Sequence, residues 1–127
     1  MPFYFSIQEA REKLERLRPL MDELASLRQT ILARQPGDWP LVEKSAGNGG
    51  SRRASRMVAE FERVDRLVHR IQEDGVILKD INLGLLDFPA WRGNHEVYLC
   101  WKYGEPELAF WHEVDAGFSG RQPLETF

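Results

Sequence analysis

The sequence predicts an α+β fold: an N-terminal antiparallel helical hairpin packed on a C-terminal three- or four-stranded antiparallel sheet. Three observations predict it. Apolar residues recur at alternating spacings of three and four through the first half. From Val76 onward that period gives way to short runs of β-forming residues separated by glycine and asparagine. Aromatic residues concentrate in this second half, where they can supply a core. A chain of 127 residues suits one domain, 1–127, and is too short for two independent cores.

Helix one is expected over 6–34. Ser6-Ile7-Gln8-Glu9 reads as a capping box, the Ser6 hydroxyl meeting the third helical N–H while Glu9 reaches back to the cap amide. Ile7, Ala10, Leu14, Leu17, Met21, Leu24 and Ile31 form the apolar stripe, interrupted by Arg28 and widened by Leu20 and Leu27. That stripe is coiled-coil-like but broader than a minimal seam. Glu9/Lys13, Glu12/Arg16 and Arg11/Glu15 are spaced for ion pairs along the polar side. Pro19 removes one backbone donor and predicts a kink. Residues 35–50, with Pro36, Gly37, Pro40 and the run Gly47-Asn48-Gly49-Gly50, read as a flexible loop. Helix two is expected over 51–74, its stripe made by Met57, Phe61, Val64, Val68 and Ile71 and its end set by Gly75.

The sheet is expected over 75–113. Val76-Ile77-Leu78 opens it, and Leu85-Leu86-Asp87-Phe88 follows, with Pro89 predicting that this strand ends early or lies at an edge. Arg92-Gly93-Asn94 turns the chain into Glu96–Trp101, the strongest strand, whose apolar residues point to both faces. Leu108–His112 is the last strand, and 114–127 reads as an irregular tail. Trp91, Trp101, Trp111, Phe88, Phe110 and Phe118 carry more apolar area than two helices readily bury. A subunit interface, most simply a homodimer, or a ligand pocket is therefore expected on the second sheet face.

Several segments also carry a resemblance: Gly75–Asp80, Gly84–Ala90, Tyr98–Glu105, Trp111–Glu113 and Ala116–Pro123. Through them the chain resembles, from Phe5 to Pro123, a family of uncharacterised prokaryotic proteins, the domain of unknown function numbered twenty-two-oh-three. The resemblance implies no activity, cofactor or catalytic residue.

The charge balance, −3 at neutral pH with a pI near 5.6, gives no general affinity for nucleic acid or acidic membrane. No apolar run approaches the roughly 20 residues that span a bilayer. The first residues lack a basic segment followed by an apolar one, so no signal peptide is expected. Cys100, the sole cysteine, excludes an internal disulfide and a multi-cysteine zinc site. A reducing cytoplasm and no cofactor are the simplest expectations.

Polar residues embedded in the apolar half are the candidate site: Lys79, Asp80, Asp87, Glu105, His112, Glu113, Asp115 and Arg121. A His–carboxylate group can act as general acid and base, or hold one divalent metal through His112 with Asp87, Glu113 or Asp115. His112 and Glu113 point to opposite faces of a regular strand, so only Asp87 or Glu105, arriving from elsewhere, can complete a group with His112. The competing reading is that Lys79, Asp80, Asp87 and Arg121 make structural ion pairs and turn hydrogen bonds. Cys100, inside an apolar strand, reads as an inert core residue. On helix two, Arg52, Arg56, Arg63, Arg66 and Arg70 line up as a basic ridge. It is suited to phosphates or an acidic partner, and equally to a solvated face neutralised by nearby acids. Three functional readings follow: a homo-oligomeric interaction or scaffold module, a small enzyme or metal protein centred on His112, and a nucleic-acid-associated factor using the ridge.

Overall fold

The computed structural model describes residues 3–45 and 55–127. The chain is α+β. Helices α1 (Ile7–Arg34), α2 (Asp38–Ser45) and α3 (Ser55–Ile71) precede five strands: β1 (Ile77–Asp80), β2 (Leu85–Arg92), β3 (His95–Lys102), β4 (Phe110–Glu113) and β5 (Gln122–Pro123). The strands form one antiparallel sheet in sequence order. Two compact units divide the chain: Pro19–Ile71, and Met1–Arg18 together with Gln72–Phe127.

In the helical unit, Pro19 lies inside α1 and does not end it. Met21, Leu24, Leu27 and Ile31 are buried, as are Phe61, Val64, Leu67 and Ile71 of α3. Leu67 is buried and the expected Val68 only half-buried, so the buried face of α3 is turned to the Leu67 side of the expected stripe. Glu23 pairs with Arg63 at 2.9 Å and Arg34 with Glu60 at 2.6 Å, so α1 and α3 run antiparallel as a hairpin. The flexible loop expected over 35–50 holds α2 instead. Its Pro40 falls in the first turn, where a helix has no use for the missing N–H, and Trp39 and Val42 are buried. Helix α3 occupies Ser55–Ile71 rather than 51–74, because Glu73–Gly75 tightens into a 3-10 turn with Asp74 at φ 58. Gly75 follows at φ 90, and a Cβ there would meet the Phe3 side chain at 3.1 Å, so glycine is required on two counts.

In the sheet unit the capping box forms as expected. Glu9 N–H donates to Ser6 Oγ at 3.0 Å and Ser6 N–H donates to Glu9 Oε1 at 2.9 Å. The expected pairs along the helix give way to longer-range partners. Lys13 Nζ donates to Asp74 at 2.9 Å, and Arg11 and Arg18 donate to the carbonyl oxygens of Leu108 and Pro106. These bonds tie the first turns of α1 to the turn after α3 and to the β3–β4 connection.

Pro89 does not end β2, which continues to Arg92 in the interior of the strand order. The reason is directional. Phe5 N–H donates to Pro89 O at 2.7 Å, so the polar side of Pro89 points away from β3, and the missing donor costs no β2–β3 bond. β1, whose register reaches only to Ile77↔Asp87, has stopped short of it. The sheet has five strands because the tail, expected to be irregular, returns as β5. Leu124 N–H donates to Ala109 O, and Pro123 and Gln122 register against Phe110 and Trp111.

Strand register separates two faces. Leu86, Phe88, Val97, Leu99, Trp101 and Trp111 lie on the inner face and are buried, Phe88 packing edge-on against Phe5. The outer face carries Asp87, Pro89, Trp91, Glu96, Tyr98, Cys100, Lys102, Phe110 and His112. The site lies there.

Candidate functional site

The register sets the site. Asp87 of β2 stands opposite Cys100 of β3, and Tyr98, two residues back on the same face, stands opposite His112 of β4. Three neighbouring strands therefore deliver three polar side chains to one spot. His112 Nε2 lies 3.0 Å from Asp87 Oδ1. The ligand atoms of Asp87, Cys100 and His112 all lie within 4.8 Å of one another. Asp87 and His112 are each 2 % exposed and Cys100 1 %. Tyr98 packs its ring edge-on against His112 at 5.6 Å.

The second ring nitrogen fixes the histidine. Nδ1 lies 2.7 Å from the Glu113 carbonyl oxygen, which can only accept, so Nδ1 carries a proton. Burial pulls the His112 pKa down. The hydrogen bond to Asp87, the Glu113 carbonyl and the Asp87 charge together outweigh it, and the net shift is upward. Burial also pushes the Cys100 thiol up to about 12, with help from the Asp87 charge. At neutral pH Cys100 is a thiol, which agrees with its expected inertness.

Arg121 and Glu105 flank the trio. Arg121 Nη2 donates to both Glu105 oxygens, at 2.8 and 2.7 Å, and the guanidinium lies 3.9 Å from the Phe110 ring centre and 4.7 Å from that of Phe118. Glu105 also accepts from Lys102 N–H, and its carbonyl accepts from the Trp101 indole. It is thus committed to holding the β3–β4 connection. Of the two carboxylates able to reach His112, Asp87 does so and Glu105 does not.

The other candidates are dispersed. Asp80 Oδ1 accepts from the backbone N–H groups of Asn82 and Leu83 and organises the β1–β2 turn. Lys79 and Asp115 are exposed. Glu113 lies on the opposite face from His112, as alternation predicts, and meets exposed His95 at 3.2 Å. Of the arginine ridge, Arg52 and the Arg56 side chain lie outside the described residues, as does the run Gly47–Gly50. Arg66 and Arg70 are exposed, and Arg63 pairs with Glu23. Cys100 is the member that sequence reasoning set aside. Only the pairing of β2 with β3 reveals it.

Two open clefts of the sheet unit, one lined by Arg11, Arg18 and Pro106 and the other by Ala109, Phe110 and Pro123, include none of the trio. Among the described residues no helix is long and apolar enough to cross a membrane. The model of the DUF2203 family, described as uncharacterized conserved proteins, matches residues 3–124. No curated protein and no solved structure matches the chain.

Proposed function

We propose that this chain, which belongs to the DUF2203 family of uncharacterised conserved proteins, is a homo-oligomeric interaction module that binds a second copy through its outer sheet face. The observation that carries this reading is an exposed aromatic residue on that face, Trp91, which is 49 % exposed. In the tail, Phe118, whose ring shares the Arg121 guanidinium with outer-face Phe110, is 40 % exposed. Trp91 stacks on Tyr4 at 4.9 Å, which widens the patch. Exposed aromatic residues are what protein interfaces use as anchors.

Charge placement supports a second copy as the partner. On the outer face β3 presents Glu96, Tyr98, Cys100 and Lys102 in that order, acid at one end and base at the other. Two such faces related by a two-fold axis, strands antiparallel, bring Lys102 of each copy against Glu96 of the other. In this reading the α1–α3 hairpin is a short intramolecular coiled coil that stiffens the module. The single buried thiol suits a reducing compartment such as the cytoplasm.

Burial of Asp87 and His112 to 2 % weighs against acid–base chemistry on a substrate, since neither presents a face to solvent. The pairing of Arg63 with Glu23 weakens the phosphate-binding reading of the ridge. The test is native mass spectrometry of the full chain as purified, with sedimentation over a dilution series. A dimer supports the module, and a monomer at all accessible concentrations refutes it.

A further inference from the structure

We propose that Asp87, Cys100 and His112 form a binding site for one divalent transition-metal ion of the zinc class. The argument starts from the two ring nitrogens of His112. Nδ1 spends its proton on the Glu113 carbonyl, 2.7 Å away. A neutral imidazole then turns a bare lone pair at Nε2 toward the Asp87 carboxylate, 3.0 Å away. Two acceptors at that distance repel unless a cation, either a proton or a metal ion, lies between them. An Nδ1–H donated to a backbone carbonyl is also how metal-binding histidines are held with Nε2 aimed at the ion.

Cys100 turns this pair into a ligand set. Its sulfur lies within 4.8 Å of both other ligand atoms, and all three residues are buried. Nitrogen, sulfur and oxygen donors converging from three strands suit a zinc-class ion, with the fourth tetrahedral position left to water. The Arg121 cation, which acts on both His112 and Cys100, is paired with and offset by Glu105. The exchange also balances. The metal-free trio, with carboxylate, imidazolium and thiol, sums to zero charge. Binding one divalent ion releases one proton from Nε2 and one from Sγ, leaving carboxylate, neutral imidazole, thiolate and metal, again zero. A buried site thus accepts the ion with no net charge taken from water.

The full-length chain, stripped with chelator, is titrated with Zn(II) and separately with Co(II). One ion per chain, about two protons released per ion, and a sulfur-to-cobalt charge-transfer absorption are expected. Cys100→Ala leaves an apolar side chain in an apolar strand, so it keeps the fold. It should abolish the charge-transfer band and weaken Zn(II) binding by more than the roughly 10- to 100-fold that loss of an outer-shell partner costs. His69→Ala and His95→Ala, which remove exposed histidines, should leave uptake unchanged. The proposal is overturned by failure to take up stoichiometric metal, by a band that survives Cys100→Ala, or by uptake lost with either surface histidine. In each of those cases the cation between Nε2 and Oδ1 is a proton.

Discussion

Replacing Trp91 with alanine tests the proposed association most directly. A tryptophan side chain offers about 150–250 Å² of surface. With Trp91 49 % exposed, about 100 Å² of it remains to be covered by a partner. At about 25 cal/mol per Å² this is roughly 2.5 kcal/mol for each copy. A two-fold interface counts the residue twice, giving about 5 kcal/mol, or between three and four powers of ten in the dimer Kd. Sedimentation velocity over a dilution series reads the change. Trp91 lies outside the buried core, so the Trp91→Ala chain should still fold and unfold cooperatively while dissociating, its unfolding temperature falling only by the lost Tyr4 contact and the lost association. A Kd within about tenfold of wild type would refute the assignment of this face, since 1.4 kcal/mol is far below the area estimate. The charge arrangement gives a second arm. Glu96→Lys and Lys102→Glu should each loosen the dimer, and the double exchange should restore it, because only a two-fold pairing makes those residues each other's partners across the interface.

Three further outcomes follow from the sheet unit. Asp87→Ala removes the acceptor from buried His112 and should cost about 3–5 kcal/mol in denaturant unfolding measured with chelator present; a loss below about 1 kcal/mol would show the pair to be idle. Raising the Cys100 thiol from 9.0 to about 12 leaves about three powers of ten less thiolate at neutral pH. Alkylation of the folded, metal-free protein should therefore be negligible and become rapid in denaturant, and equal rates would contradict the burial. The Lys13 hydrogen bond and charge hold Asp74 below its ordinary value. Its contribution to stability is therefore complete above the unfolded pKa near 3.8 and is lost as pH falls through the lower folded value. Lys13→Met should flatten that acid limb of the stability profile, and an unchanged limb would show that Asp74 gains nothing from Lys13.

What was legible in the sequence was local. The Ser6–Glu9 box is closed within four residues, and the burial of Leu14, Leu17, Met21 and Leu24 follows from helical spacing alone. The Gly93-Asn94 turn into β3 is equally local. What was missed depended on distant partners. Pro89 behaves as an interior strand residue because Phe5, far away in sequence, meets its carbonyl. Helix α2 was hidden because Pro40 reads as a breaker until its place in the first turn is known. In the candidate site His112 and Asp87 were picked out as charged groups among apolar ones. Their third member, Cys100, has no charge to betray it and becomes visible only when β2 and β3 are set in register.

The carbonyl of Pro89 has a consequence for how this protein can meet other chains. Growth of a sheet by an incoming strand needs free donors and acceptors along a border. Beyond the end of β1, the border of β2 offers neither at Pro89: the residue has no N–H, and Phe5 has already claimed its oxygen. The far border is a two-residue strand that itself contains a proline, Pro123. Backbone zippering, the unselective route by which sheets aggregate, is thereby discouraged at β2 beyond β1 and along β5. The association proposed above accordingly rests on side chains of the broad surface, where identity and charge can discriminate between partners.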